Sequence, residues 1–197
     1  HVTIGPPFLS EAMLINSNAK QGFNHKFAYP DPKRFEFLFP QARLDEAGSQ
    51  TTDLRMSSDP VNYLSNHIFD PSDTYGWVTA YDPVSGLVLG YVWKTADYPW
   101  INFWQQVSDG KPVAKGLEFG TAGADRTYRK LMEHNMWFHG MPSWEYIDAG
   151  ERMEKSYLAF LFNIGPDREN PFLLVEDSRL LLNGNIEMVN PYASRAD

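Results

Sequence analysis

Apolar and polar positions alternate along much of this chain with a period of two, and few stretches carry helical spacing. Phe35, Phe37 and Phe39 alternate with Arg34, Glu36 and Leu38, which places three phenylalanines on one face of a predicted strand. Leu87, Leu89, Tyr91 and Trp93 share a face in the same way. The run before them, 76–81, is joined to them by Asp82-Pro83-Val84-Ser85-Gly86, so the two runs predict a hairpin. Residues 100–105 and 115–119 read as two further strands lying beside or opposite one another. Val2 to Ile4 reads as a strand end stopped by Gly5-Pro6-Pro7, because two consecutive prolines remove two ladder donors. Residues 156–164, SYLAFLFNI, predict a buried strand, and 171–183 a hairpin turning through Glu176-Asp177-Ser178. Residues 17–32 and 45–60 are polar and turn-rich and read as connections, whereas 124–143 predicts a short helix or a lid-like loop. Many short strands and few helical candidates imply an all-β fold, an antiparallel β-sandwich of two sheets about 10 Å apart.

Composition narrows the functional classes. A chain of 197 residues is expected to form a single domain over 1–197 with a sizeable core. Without cysteine it has no disulfide framework, no thiolate metal site and no thiol nucleophile. A net charge of -8 with no dense Lys/Arg cluster argues against a nucleic-acid partner. No apolar run approaches the roughly 20 residues of a membrane span, so a soluble protein with no membrane partner is expected. The chain opens on His1 and runs at once into the apolar segment HVTIGPPFL. Either a processed leader or the earlier part of a longer domain is expected to precede it.

Candidate chemistry concentrates in 97–123, DYPWINFWQQVSDGKPVAKGLEFGTAG. Trp100, Asn102, Trp104 and Gln105 lie close together, and Glu118 follows between apolar neighbours, with Gly116 and Gly120 permitting close approach. Indole faces stack on the C–H face of a pyranose, amides bond its hydroxyls, and a carboxylate in a partly apolar pocket suits a general base. The same letters also describe a core strand with buried tryptophans and a surface glutamate. His134 and His139 stand five apart with no third ligand at metal spacing and read as loop histidines, so no metal site is expected there.

The succession of HVTIGPPFL, DPVSGLVLGYVWKT, DYPWINFWQ, GLEFGTAG and AGERMEKSYLAFLFNI resembles the later part of the aldose 1-epimerase, or galactose mutarotase-like, superfamily, in particular members with a GLEFGTTG-type segment. The resemblance runs from His1 to about Val189. It implies a β-supersandwich lacking its front portion, with an aldose on a concave sheet face. Glu118 matches the place of the catalytic glutamate and His1 that of the catalytic histidine. Trp100, Asn102 and Trp104 match the aromatic wall beside the sugar, and Asn66 and His67 a polar pair that reaches its hydroxyls. The front portion, with its additional histidine and arginine, is absent from the sequence, and Ala122 stands where a threonine is expected.

Anomer interconversion requires a base for the C1 hydroxyl and an acid for the ring oxygen, acting from opposite sides, and no cofactor. Glu118 and His1 are the expected pair. A carbohydrate-binding module of the same fold without turnover is the alternative. A remoter one takes His1 as half of a copper-binding histidine brace, completed by His67, His134 or His139, as in polysaccharide-oxidising enzymes.

Overall fold

A computed structural model describes residues 2–29, 31–123, 129, 130, 133, 136–166, 168–184 and 186–193. Its first strands are β1 (Val2–Ile4), β2 (Leu14–Ser17), β3 (Gln21–Asn24), β4 (Phe37–Leu38), β5 (Gln41–Arg43) and β6 (Thr51–Asp53). The long central strands follow: β7 (Tyr63–Ile68), β8 (Tyr75–Asp82), β9 (Leu87–Lys94), β10 (Trp100–Ser108) and β11 (Lys111–Gly120). The last are β12 (Trp137–Phe138), β13 (Met141–Pro142), β14 (Tyr157–Asn163), β15 (Leu173–Val175), β16 (Arg179–Leu182) and β17 (Ile186–Val189). Among the described residues no helix is long and apolar enough to cross a membrane.

The fold is all-β and every strand pairing is antiparallel. A six-stranded sheet has the order β1-β11-β10-β7-β3-β4, and a four-stranded sheet the order β14-β9-β8-β2. They form a sandwich. Ile4, Tyr63, Ile101, Phe103 and Leu117 from the first sheet share one core cluster with Ile15, Val78, Ala80, Tyr91 and Trp93 from the second. On the other side of the four-stranded sheet, Tyr81, Val88, Val92 and Phe160 pack against Leu173, Leu180 and Leu182 of the three-stranded sheet β15-β16-β17. The β8–β9 hairpin is thus a middle layer with apolar side chains on both faces. That is why Val88 and Val92 fill the gaps between Leu89, Tyr91 and Trp93.

Several sequence expectations are corrected. Residues 17–32 are not one connection: Gln21–Asn24 is a strand inside the six-stranded sheet, with Phe23 opposite Asn66 of β7 and Gly22 opposite Leu38's neighbour Phe37. The Phe35/Phe37/Phe39 run is mostly not a strand. Asp31 accepts a hydrogen bond from Lys33 N and Pro32 pre-sets the backbone, so Pro32–Phe35 winds into a 3-10 turn and β4 keeps only two residues. Within 45–60, Thr51–Asp53 pairs with β5. SYLAFLFNI is a strand but not a buried one. It pairs on one side only among the described residues, and Tyr157 and Leu161 are 54% and 62% exposed at that edge. Much of 124–143 lies outside the described residues; Arg129, Lys130 and Glu133 are helical, in line with the short helix expected there, and the described end forms the β12–β13 hairpin.

Candidate functional site

Strand parity decides which side chains share a face. Ile101, Phe103 and Gln105 of β10 point into the sandwich, so Trp100, Asn102, Trp104 and Gln106 point to the opposite, outer face of the six-stranded sheet. Leu117 of β11 faces the core, which puts Gly116, Glu118 and Gly120 on the outer face. The register then lines these positions up in rows. Asn102 stands opposite Glu118 on one side and Asn66 on the other, Trp104 opposite Gly116 and Leu64, and Trp100 opposite Gly120 and Ile68.

Glu118, Asn102 and Asn66 therefore form one polar row across three adjacent strands. Asn66 Nδ2 donates to Asn102 Oδ1 at 2.6 Å, which turns the amide oxygen of Asn102 toward Asn66 and its N–H group away from it. Asn66 itself is buried, and its Oδ1 has no hydrogen-bond partner among the described residues. An unmade bond of this kind costs about 1–3 kcal/mol, so the pair is held at some expense to stability. Trp104 flanks the row. A Cβ built on Gly116 would lie 2.7 Å from Glu118 Oε1 and 3.2 Å from Trp104 Cε3, so carboxylate and indole come together over that glycine. Any side chain at that position would displace the Glu118 carboxylate from its place beside Trp104.

Two expected residues are not on this surface. Trp100 points to the outer face but is fully buried: Phe138 of β12 stacks on it at 6.1 Å, Phe23 meets it edge-on at 6.1 Å, Gly123 presses on the ring, and its Nε1 donates to Pro142 O at 2.8 Å. Both indole faces are occupied by protein. His67 cannot pair with Asn66 toward a ligand, because consecutive strand residues face opposite sides of the sheet. It is sealed in the core among Phe103, Phe37 and Phe39, with ring centroids 5.3, 5.5 and 6.0 Å away. Its Nδ1 donates to Lys20 O at 3.2 Å, which leaves Nε2 to accept from Ser65 Oγ at 3.2 Å. Burial depresses its pKa to about 4, against a smaller opposing pull from the Lys20 hydrogen bond. His67 is a neutral core histidine and has no free nitrogen for a metal.

His1 and His134 lie outside the described residues, and His139 pairs with Glu36, Nε2 to Oε2, at 2.6 Å. Among the described residues no three His, Asp or Glu side chains converge as a metal site.

Two features escape the sequence reading. A cavity of about 430 Å³ adjoins Trp104 and is lined by Leu64, Asn62, Gln106 and Val107, with Lys26 at its rim. The continued alternation of Trp104 and Gln106 was the available signal for it. Lys115, one position before Gly116, is buried on the core side, where Nζ donates to Met56 O at 2.8 Å and to Gln105 Oε1 at 3.4 Å. Burial lowers its pKa to about 7, and the negative charges of Asp53 and Asp59 hold it from falling further. Nothing local in KPVAKGLEF distinguishes it from an exposed strand lysine.

Comparison with protein-family models, with curated proteins and with solved structures found no match for this chain.

Proposed function

We propose that the outer face of the six-stranded sheet binds an aldose and interconverts its anomers, in the manner of an aldose 1-epimerase. The observation that carries this reading is the row Glu118–Asn102–Asn66 with Trp104 beside it: one carboxylate, one oriented amide donor and one half-exposed indole on a single face. Trp104 stacks on the C–H face of the pyranose. Asn102 donates to a ring substituent, and Glu118 takes the proton of the C1 hydroxyl as the C1 to ring-oxygen bond breaks. The acid protonates that ring oxygen, the aldehyde rotates, and the reverse transfers close the ring on its other face. His1 is the acid in this reading. That role is the one the family resemblance implies for it.

One observation favours the binding-only alternative. Among the described residues of the row Glu118 is the sole titratable side chain, and anomerisation needs two proton-transfer groups. Polarimetry on freshly dissolved α-glucose and α-galactose, beside sugar titration by calorimetry, separates the two readings. Glu118→Gln keeps shape and hydrogen bonding but takes no proton, so it is expected to retain affinity and lower the rate by about 100-fold or more. A wild type no faster than the uncatalysed reaction that still binds sugar leaves a carbohydrate-binding module. Glu118→Gln as fast as an active wild type makes the carboxylate structural.

A further inference from the structure

We infer that the cavity beside Trp104 is a second saccharide subsite, so that the preferred ligand is a neutral oligosaccharide whose reducing-end unit lies at Glu118. This rests on the sugar-binding reading of the outer face and extends it. The rows run along β10 in the order Asn102, Trp104, Gln106, with Glu118 beside the first and the cavity beside the second and third. Asn102 to Gln106 is four residues, roughly 13 Å at 3.2–3.4 Å per residue, a longer span than one pyranose occupies. Trp104 stands between the two ends and offers its indole to both.

The far end repeats the chemistry of the near one. Asn62 Oδ1 accepts from Val107 N at 2.6 Å, so its amide N–H group is turned to donate, as that of Asn102 is. The ladder between β10 and β11 slips between Gln106 and Val107, and a bulge of this kind re-aims the side chains around it. Leu64 and Val107 supply the apolar wall and Gln106 an exposed amide at the mouth. An aliphatic and aromatic wall with amide donors and acceptors suits a neutral sugar ring. Lys26, which is exposed, is the one lysine or arginine in the lining and stands beside His25, and a single exposed ammonium suits a phosphorylated monosaccharide less well.

Calorimetric titration of the whole chain with glucose, maltose, cellobiose and glucose 6-phosphate tests this. At least one disaccharide should bind 10-fold or more tightly than glucose. Gln106→Trp, which fills the cavity from an exposed position, should bring that ratio to about one, and Gln106→Ala, the milder change, should lower it several-fold. Unfolding midpoints of both variants check that the fold is intact. Glucose binding with no gain for either disaccharide overturns the subsite and leaves the aldose site standing. A gain for glucose 6-phosphate alone overturns the neutral-oligosaccharide assignment. No binding of any saccharide removes the aldose reading and the subsite with it.

Discussion

Acidification should destabilise this fold through His67, a residue that the family resemblance placed at the ligand. The imidazole is fully buried in a phenylalanine cage, with Nδ1 committed to Lys20 O, so a proton on Nε2 would leave a charge in the core without an anionic partner. In the unfolded chain the ring takes its proton near 6.5, but in the folded protein only near 4. Between those values the unfolded state binds more protons, so stability rises with pH across the window and is lost as pH falls through it. The full loss, reached below both values, is about 3 kcal/mol. At pH 4.5 most of it should already be gone, and above pH 7 almost none. Urea unfolding at pH 7.5 and 4.5, on wild type and on His67→Phe, isolates the effect. Phe keeps a ring in the cage but cannot titrate, and every surface carboxylate contributes equally to both proteins. His67→Phe should be the less stable at pH 7.5, having lost the Lys20 bond, but should lose about 2–3 kcal/mol less than wild type on acidification. Equal losses in the two proteins would refute the assignment of His67 as a buried neutral group.

Lys115 acts with the same sign in a more alkaline window. Its folded pKa of about 7 lies below its ordinary 10.5, so wild-type stability should rise between pH 7 and 10 while that of Lys115→Met stays flat in the same denaturation series. At pH 7 the variant should be the more stable, by an amount bounded by about 4–5 kcal/mol and reduced by the lost bond to Met56 O. Parallel curves would sink that reading. Above pH 10 Tyr63 works against the rise, because burial raises its phenol pKa and the folded state then holds the extra proton. Trp100→Ala should cost roughly 3–5 kcal/mol of folding stability, as for a fully buried indole. An unchanged unfolding midpoint with lost sugar affinity would put Trp100 at the ligand instead.

What the sequence determined by itself is what depends on neighbours along the chain. Alternation over 87–93 and the Asp-Pro-Val-Ser-Gly turn are local, and they were sufficient for the β8–β9 hairpin, because a strand's period of two is a property of its own backbone. The same parity places Trp100, Asn102 and Trp104 on one face, and Gly116 with Glu118 on theirs. The tertiary structure decided everything that depends on pairing and cover. Asn66 reaches Asn102 only because β7 pairs with β10 in that register, and β7 itself was hidden by its polar Ser65-Asn66-His67 centre. Its neighbour His67 was sent to the core by the pleat and stays neutral there because the phenylalanines around it exclude water. Trp100 and Trp104 are two residues apart and chemically alike. One is roofed by Phe138 from a hairpin almost forty positions later, and the other is left open beside Glu118, since nothing in a local pattern records which distant segment will cover it.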